Sequence, residues 1–556
     1  MLSTRLSLLK HVGRVRCLSA QVHTACANEP MKDYVKGTPE RKGVEEALDK
    51  LWNSVEEIPC VIGGQNVESE DVRWETSPFD HGHRLSRVHH ANKAMLNKAI
   101  DAALAARKEW EARPLEERVK IFNKAADLIA GKYRYELLAA GMLVQGKTVW
   151  QAEIDIVTEL ADFYRFHAQY ALDLAAWQPL STEVSSNKFV MRGMEGFVAA
   201  VSPFNFAAIG GNLAGTPAMM GNVVLWKPSR SCIQPSYRIF NILREAGVPD
   251  GVINFVPSTG PDFGDAITSS PHLAAVNFTG SNATFSGIWK QVAQNLDKYI
   301  TYPRLVGETG GKNYHLIHKS ADIDTVVNCS VRSAFEYGGQ KCSACSRLYV
   351  PDSMWPTVKE KMLETTKQLK LGPTNDFTSF LSAVIDGKSF DNIKTYLDYA
   401  KSNPNVTVLA GGNCDKSKGY FVEPTIVETS DPHDKLMTEE IFGPVVAVYV
   451  YPENKYDETI QLVNGTSEYG LTGAIFARDQ GVIDTTQSAL RDSAGNFYIN
   501  DKCTGAVVGQ QPFGGARGSG TNDKAGAPSY ILRWVSPQTV KETHNPITDW
   551  RYPHMS

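Results

Sequence analysis

Residues 196–229 read GFVAAVSPFNFAAIGGNLAGTPAMMGNVVLWKPS, and the stretch holds two short apolar runs that each end in a polar turn. Runs of this kind, bounded by Gly, Pro or Ser, occur four times in this part of the chain: 197–201, 223–226, 252–256 and 274–278. Helical patterns lie between them, such as 236–245, which ends before Gly247. Because continuous apolar strands with helical crossovers are covered on both faces, the pattern predicts a parallel α/β sheet. Such a sheet binds ligands beyond the carboxyl ends of its strands.

Further helical and extended patterns flank this sheet. Before it, Leu96, Ile100 and Leu104 recur every four residues, Pro114 starts a second helix, and a third helical pattern runs from about 149 to 175. After it, a second α/β region is expected over residues 308–525. The apolar run 530–535 is predicted to be a strand in an added C-terminal arm.

The overall composition restricts the classes of function. The chain has 556 residues with a net charge of -4, so no global charge draws it to nucleic acid or to an anionic membrane. We find no apolar run long enough to span a bilayer and expect no membrane partner. The nine cysteines are scattered, which is not the pattern of a disulfide framework and fits a reducing compartment.

The N-terminal segment differs from the rest of the chain. It carries Arg5, Lys10, Arg14 and Arg16, and its first acidic residue is Glu29. A basic, Ser-bearing segment without acids predicts a mitochondrial transit peptide over 1–28, with a mature chain that begins between 18 and 28. The alternative is a disordered basic tail. We expect the protein in the mitochondrial matrix.

A cysteine-bearing turn at 335–347, FEYGGQKCSACSR, is the first candidate for chemistry. Small residues around Cys342 let its thiol approach a substrate, and Lys341 is expected to lower the thiol pKa. Cys342 and Cys345 form a CxxC pair, which indicates a redox dithiol, half a zinc site, or two small buried hydrophobic residues. Without a second CxxC or a His pair at zinc spacing, zinc is disfavoured and no metal is expected.

Three polar residues and one glycine turn are further candidates. Glu308 lies beside two glycines and is a general base or a solvated loop acid. Asn205, after the strand at 197–201, is an oxyanion donor or a turn cap. Lys227, at the next strand end, holds ribose or phosphate oxygens or is a surface lysine. The turn 278–281 is a weak phosphate-binding signal, since the chain has no GxGxxG fingerprint.

Together, and in this order, these motifs resemble the aldehyde dehydrogenase superfamily. The resemblance covers nearly the whole chain after residue 60 and rests on SPFNF at 202–206, LWKPS at 225–229, FTGS at 278–281, ETGGKN at 308–313, GQKCSA at 339–344, EEIFGP at 439–444 and PFGGARGSGT at 512–521. It implies an α/β aldehyde dehydrogenase fold. A Rossmann-like NAD-binding domain would comprise 29–182 and 197–307, an α/β catalytic domain 308–525, and a β oligomerisation arm 183–196 and 526–556. The arm implies a homodimer.

The resemblance also implies a mechanism. Cys342 would attack an aldehyde carbon, and the Asn205 amide with the Cys342 backbone N–H would hold the resulting oxyanion. Hydride transfer would leave a thioester, and Glu308 would activate the water that hydrolyses it. Nicotinamide cofactor binding is implied for Ser202, Lys227, Gly280, Ser281, Thr284, Glu440 and Phe442.

Two departures from the family pattern concern the cofactor. Phe285 stands where many members have Gly, so the loop path after the FTGS turn is open. Arg230 stands where many NAD-preferring members have an acidic residue, and a cation there attracts a 2′-phosphate. NAD is the expected cofactor, with NADP tolerated.

Details within the family imply a substrate. Lys341 before the nucleophile, ETGGKN and the run GTNDKAG at 520–526 resemble members that oxidise L-glutamate γ-semialdehyde. That aldehyde forms from Δ1-pyrroline-5-carboxylate and yields L-glutamate in the second step of proline breakdown. The implied substrate-binding residues are Ser343, the anchor loop with Gly505 and Ala506, and the walls Phe206 and Phe513. For the two phenylalanines, an ordinary core position is the alternative.

Two other functions stay open from the sequence. One is another semialdehyde dehydrogenase, acting on succinate or methylmalonate semialdehyde, because only the anchor loop and pocket walls separate these enzymes. The other is a catalytically silent structural homologue. The presence of both Cys342 and Glu308 argues against the second.

Overall fold

The computed structural model describes residues 26–555, so most of the predicted transit peptide lies outside the described residues. The last residues of that segment contact the folded body. The Cys26 thiol donates to the Arg165 carbonyl at 3.4 Å, and Asn28 Nδ2 lies 2.7 Å from both an Asp162 carboxylate oxygen and the Val508 carbonyl. The boundary at residue 28 stays a prediction, and these contacts favour a mature start before Cys26.

The first half of the described chain places helices before and around a sheet. The elements before the arm are α1 (Pro39–Trp52), β1 (Glu56–Ile58), β2 (Cys60–Ile62), β3 (Gln65–Val67), β4 (Val72–Ser77), β5 (Asp80–His89), α2 (Lys93–Ala112), α3 (Leu115–Ala130), α4 (Arg134–Gln145), α5 (Val149–Ala152) and α6 (Leu160–Ala175). After the arm strand β6 (Ser185–Arg192) come β7 (Phe197–Val201), α7 (Ala207–Met219), β8 (Val223–Lys227), α8 (Ile233–Ala246), β9 (Ile253–Phe255), α9 (Gly260–Ser269), β10 (Leu273–Thr279), α10 (Asn282–Gln294) and β11 (Arg304–Glu308).

These strands form a seven-stranded sheet in the order β11-β10-β7-β8-β9-β2-β3. The strands from β11 to β9 are parallel, and β2 joins β9 in the antiparallel sense. One hydrophobic cluster covers one face with α3, α7 and α8, and a second covers the other with α2, α9 and α10. The predicted parallel sheet, with helices on both faces, is confirmed.

A second α/β unit follows. Its strands are β12 (Asn313–Ile317), β13 (Cys345–Pro351), β14 (Val406–Ala410), β15 (Cys414–Asp415), β16 (Phe421–Val422), β17 (Thr425–Thr429), β18 (Val445–Tyr451), β19 (Tyr469–Gly470), β20 (Thr472–Phe476), β21 (Asn496–Ile499) and β22 (Ala516–Arg517). Its helices are α11 (Ile323–Phe335), α12 (Trp355–Lys367), α13 (Gly387–Ser402), α14 (Lys435–Thr438), α15 (Tyr456–Gly465) and α16 (Gln480–Ala489). The sheet order is β14-β17-β18-β13-β12-β20-β21, and only β14 runs antiparallel to its neighbour.

The C-terminal arm differs from its prediction. The run 530–535 is not a strand: it belongs to α17 (Pro528–Ile531) and a 3₁₀ turn, and the arm strand is β23 (Ser536–Thr543), which pairs antiparallel with β6. The spacing of the buried Tyr530, Ile531 and Trp534 is helical, and α17 packs against α6. A strand would bury only alternate side chains of this run.

The third predicted helix is also interrupted. Between α5 and α6, Glu153–Glu159 form a π-helix, a conformation found frequently at functional sites. The change in pitch brings the carboxylates of Glu153 and Asp155 inside. Across residues 26–555, no helix is both long and apolar enough to cross a bilayer.

Candidate active site

The predicted nucleophile lies in a fixed turn before β13. Three successive residues, Tyr337, Gly338 and Gly339, have φ between 55° and 68°. A Cβ on Gly339 would lie 2.2 Å from the Gly443 carbonyl, so only glycine fits there. From the ETGGKN motif, Asn313 Nδ2 donates to the carbonyls of Cys342 at 2.6 Å and Ala344 at 2.9 Å. The motif therefore fixes the backbone of the nucleophile turn.

The electrostatics of this turn correct one prediction. The pKa of the Cys342 thiol is raised and not lowered as predicted from Lys341, whose Nζ lies 2.9 Å from a Glu336 carboxylate oxygen so that the two buried side chains pair with each other. Burial raises the pKa of the Cys342 thiol, and the nearby Glu308 carboxylate raises it further. The thiol of the ligand-free protein is therefore protonated at neutral pH.

Glu308 is the last residue of β11, is half-buried, and lies close enough to Cys342 for its charge to act on the thiol. One carboxylate oxygen accepts the Gly515 N–H at 3.3 Å, and the other has no hydrogen-bond partner among residues 26–555. Burial raises its pKa well above the usual range, and the Lys524 ammonium offsets only part of this effect. A carboxylate with a raised pKa and an unused oxygen is suited to accept a proton from water.

Asn205 follows β7 and reaches the same turn. Its Nδ2 donates to the carbonyl of Gln340 at 3.1 Å, two residues before Cys342. The second hydrogen of that amide has no partner in the described part of the chain, so it is available to an oxygen bound beside the thiol. Asn205 therefore contacts the turn that bears Cys342, and the Glu308 carboxylate acts electrostatically on the Cys342 thiol.

The residues expected to hold a dinucleotide lie at neighbouring strand ends. Trp226 Nε1 donates to Ser202 Oγ at 2.7 Å, and Ser281 caps α10 by accepting the Thr284 N–H at 3.3 Å. Lys227 is half-buried, burial lowers its pKa to about 8, and its Nζ donates at 3.2 Å to the Pro228 carbonyl, its one hydrogen-bond partner among residues 26–555. Hydroxyl-rich ligands such as ribose would satisfy that ammonium group.

The remaining cofactor positions fit the same kind of ligand. Gly280 lies against the Phe278 ring, where a Cβ would approach to 2.7 Å. Glu440 accepts the Gly311 N–H at 2.8 Å, and burial raises its pKa. Phe442 has φ 58° and packs edge-on against Phe204 with ring centroids 5.7 Å apart. The half-buried Lys227 ammonium, the half-buried Glu440 carboxylate and the glycine turn before α10 suit ribose hydroxyls and a pyrophosphate.

Both departures from the family pattern have a structural account. Phe285 is buried and stacks on Phe278 with centroids 5.3 Å apart, so its ring fills the core beside Gly307. Arg230 is not free, since its Nη2 lies 2.8 Å from an Asp386 carboxylate oxygen. Burial would raise the pKa of Asp386, but the pairing with Arg230 lowers it overall.

The predicted substrate residues border the nucleophile turn. Ser343 Oγ lies 2.7 Å from Thr504 Oγ1, which ties the turn to the anchor loop. The backbone N–H groups of Gly505 and Ala506 donate to no group within residues 26–555. Phe206 and Phe513 are half-buried, outside the hydrophobic clusters, as cavity walls would be.

The sequence reasoning missed a charged group beside this site. In the π-helix, Glu159 is half-buried, one of its carboxylate oxygens is buried and unpartnered among the described residues, and burial raises its pKa to about 8. Its charge raises the pKa of Cys342. Asp155 pairs with Lys147 at 2.8 Å and accepts the N–H groups of Ala207 and Ala208. The signal was available: three acids stand within an otherwise apolar helical stretch, 153–159.

The chain is a member of the aldehyde dehydrogenase family, whose model matches residues 67–540. It is 59% identical to the mitochondrial Δ1-pyrroline-5-carboxylate dehydrogenase of Bos taurus, over 99% of this chain and 98% of that protein. The Homo sapiens protein of that name is also 59% identical, over 95% and 94%. A crystal structure of Δ1-pyrroline-5-carboxylate dehydrogenase from Mycobacterium tuberculosis bound with NAD matches with a TM-score of 0.92 and 43% identity, covering 96% of this chain and 98% of that one.

Proposed function

We propose that this protein oxidises L-glutamate γ-semialdehyde, the open form of Δ1-pyrroline-5-carboxylate, to L-glutamate with NAD, in the second step of proline breakdown. The observation that carries the proposal is the convergence of Cys342, Glu308 and Asn205 on one turn. That turn lies in a chain 59% identical over nearly its whole length to Δ1-pyrroline-5-carboxylate dehydrogenases.

The side chains account for each step of this reaction. The Cys342 thiol loses its proton to solvent water, its sulfur attacks the aldehyde carbon, and the oxyanion accepts hydrogen bonds from the Asn205 amide and the Cys342 backbone N–H. Bound NAD supplies the hydride acceptor, held by Ser202, Lys227, Gly280, Ser281, Thr284, Glu440 and Phe442. Glu308 then takes a proton from the water that hydrolyses the thioester, which frees L-glutamate.

Substrate selection follows from the two charged groups on the α-carbon of the semialdehyde. The α-carboxylate accepts hydrogen bonds from the free N–H groups of Gly505 and Ala506 and from the Ser343 hydroxyl, while Phe206 and Phe513 flank the aliphatic chain. The α-ammonium pairs with Glu159, one of whose carboxylate oxygens has no hydrogen-bond partner among residues 26–555. Succinate semialdehyde has no ammonium group, so this contact discriminates against it.

The direct test incubates the protein with Δ1-pyrroline-5-carboxylate and follows NADH absorbance, with NAD and NADP in parallel. Reduction of NAD supports the proposal. If Δ1-pyrroline-5-carboxylate gives no NADH but succinate or methylmalonate semialdehyde is oxidised, the protein is still an aldehyde dehydrogenase and the proposed substrate is wrong. Absence of turnover with all of these aldehydes would favour the alternative that the protein is a catalytically silent structural homologue.

Replacing Glu159 by Gln tests the ammonium contact. A hydrogen bond to a charged group is worth about 1.5–3 kcal/mol, so kcat/KM for glutamate semialdehyde is expected to fall roughly 10–150-fold. The value for succinate semialdehyde is expected to change little, because that substrate makes no such contact. Equal losses with both substrates would make Glu159 a purely structural residue.

Replacing Asp386 by Asn tests the control of cofactor choice. The substitution frees the Arg230 guanidinium for a 2′-phosphate, and kcat/KM with NADP relative to NAD is expected to rise about 1.5- to fivefold, the size of an exposed ion pair. Arg230→Gln is the matched control and should cancel the rise in the double variant. An unchanged ratio would show that Arg230 does not reach the adenosine ribose.

We also propose a homodimer formed through the arm, and residence in the mitochondrial matrix. Val184, beside the two-stranded arm of β6 and β23, and Phe189 and Val190, within β6, are exposed. In a monomer these apolar side chains would remain in water, whereas a second copy of the arm would cover them. The basic segment before Glu29 and the mitochondrial names of the relatives support the location. Light scattering after size exclusion and import into isolated mitochondria test the two statements.

A further inference from the structure

A second group of reactive side chains lies outside the proposed reaction path. His315 on β12, Cys345 at the start of β13 and Cys503 after β21 place an imidazole nitrogen and two sulfurs within 4.8 Å of one another. All three residues are at most 1% exposed. The CxxC spacing pointed to Cys342 as the neighbour of Cys345, but the partner of its side chain in this cluster is Cys503.

The cluster joins the two loops that form the substrate site. The Cys503 thiol donates to the carbonyl of Ser343 at 3.3 Å, and Ser333 Oγ lies 3.4 Å from the same sulfur. Ser333 Oγ also accepts the Cys345 N–H at 3.3 Å. On the active-site side, the hydroxyls of Ser343 and Thr504 contact each other. A change at the two sulfurs is therefore passed directly to the nucleophile turn and the anchor loop.

We propose that Cys345 and Cys503 are an oxidative modification site, where a hydroperoxide converts the two thiols to a disulfide that cross-links the nucleophile turn to the anchor loop. A disulfide needs the sulfurs at about 2 Å, so one of the loops must move inward and the Ser343–Thr504 contact is disturbed. The loss of activity that follows rests on the proposed function, whereas the cross-link itself does not.

The surroundings favour a disulfide over a bound metal ion. His315 Nε2 already accepts the Cys503 backbone N–H at 3.2 Å, so its lone pair is engaged. The Cys345 thiol donates to the Arg347 carbonyl at 3.6 Å and burial raises its pKa, so this residue opposes the second thiolate that a metal ion would require. A disulfide is uncharged, and a buried site accepts it without such a cost.

The oxidation balances with one hydroperoxide. The Cys503 sulfur attacks the O–O bond, becomes a sulfenic acid and releases water or the alcohol. The Cys345 sulfur then displaces the sulfenic oxygen as a second water, and the S–S bond forms. Burial raises the pKa of the Cys345 thiol; it opposes ionisation of Cys503 as well, but hydrogen bonding from Cys345 lowers the pKa of Cys503 overall. Cys503 is thus the first to be oxidised.

Peptide mapping in the Cys342→Ala variant tests the cross-link apart from catalysis. Trypsin cuts after Lys341, Arg347, Lys502 and Arg517, so the cross-link joins the peptides 342–347 and 503–517. After hydrogen peroxide, the joined pair is expected without reductant and its two separate halves after dithiothreitol. If both thiols remain open to alkylation after unfolding, or if peroxide treatment of the unsubstituted protein yields a Cys342–Cys345 link instead, the proposal is wrong.

Activity recovery provides the second readout. Part of the activity lost by peroxide treatment is expected to return with dithiothreitol in the unsubstituted protein and in Cys60→Ala, whose cysteine is equally buried in another cluster. In Cys503→Ala and Cys345→Ala, the recoverable part is expected to be absent. Equal recovery in all four proteins would overturn the proposal even if the dehydrogenase activity is as proposed.

Discussion

With Glu308 replaced by Gln, a rapid release of about one NADH per site is expected, followed by turnover lowered roughly 10²–10⁴-fold, the usual contribution of a general base. Attack and hydride transfer need Cys342 and Asn205, which the substitution leaves in place. Hydrolysis needs a base, and the amide cannot take a proton from water. Stopped-flow absorbance measures the burst, and intact mass measures the thioester as a protein that carries one glutamyl group.

The pH dependence separates the base from the nucleophile. Because burial raises the pKa of Glu308, its basic form is lost as pH falls through that raised value, and steady-state turnover falls with it. The Gln variant should lack this limb of the profile and keep the limb that belongs to the Cys342 thiol, whose pKa burial also raises. A variant with neither burst nor glutamyl adduct would place Glu308 before hydride transfer and contradict the assignment.

The strand pattern was the most informative part of the sequence. Four short apolar runs predicted a parallel sheet, and β7, β8, β9 and β10 occupy those positions. Parallel strands end at one edge of a sheet, so Asn205, Lys227 and the turn after β10 had to be neighbours once the sheet was accepted. The sequence predicted the roles of single charged residues less well, because such a role depends on the ion pair that the side chain forms.

Lys341 and Arg230 illustrate why pairing is hidden from the sequence. Each is a cation beside a predicted functional group, and each forms an ion pair with a carboxylate. Lys341 pairs with Glu336, five residues away, and Arg230 pairs with Asp386 in the other α/β unit. Glu159 is the converse case: a helical periodicity predicts which face is buried but not that a carboxylate will be left there without a partner. Long-range packing sets all three outcomes.

The strand predicted at 530–535 failed for a related reason. A short apolar run is compatible with a strand or with a buried helical turn, and periodicity over six residues does not separate them. Here Asn277 bonds the Tyr530 hydroxyl at 2.9 Å, and Arg304 donates to the carbonyls of Arg533 and Val535, each at 2.8 Å. Those polar partners come from β10 and β11, distant in sequence.

Replacing Cys342 by Ala is expected to lower turnover by roughly 10⁴-fold or more, because the substitution removes the sulfur that forms the covalent bond to the aldehyde carbon. The fold should persist, with a change in unfolding free energy of about 1 kcal/mol. The contacts that fix the turn run through backbone atoms: Asn313 binds the carbonyl of residue 342, and the Ala344 N–H binds the Lys341 carbonyl at 3.0 Å. Alanine keeps all of them.

The measurement pairs turnover with NAD binding in the same variant. Cofactor affinity, followed by the quenching of protein fluorescence, should match that of the unsubstituted protein, because Lys227, Ser281 and Glu440 are untouched. Asn313→Ala is the matched variant: it keeps the thiol but removes both carbonyl contacts, so activity should fall while the sulfur remains open to alkylation. Appreciable turnover by Cys342→Ala would assign the covalent role to another residue and contradict the interpretation of this turn, whose backbone Asn313 and Asn205 fix.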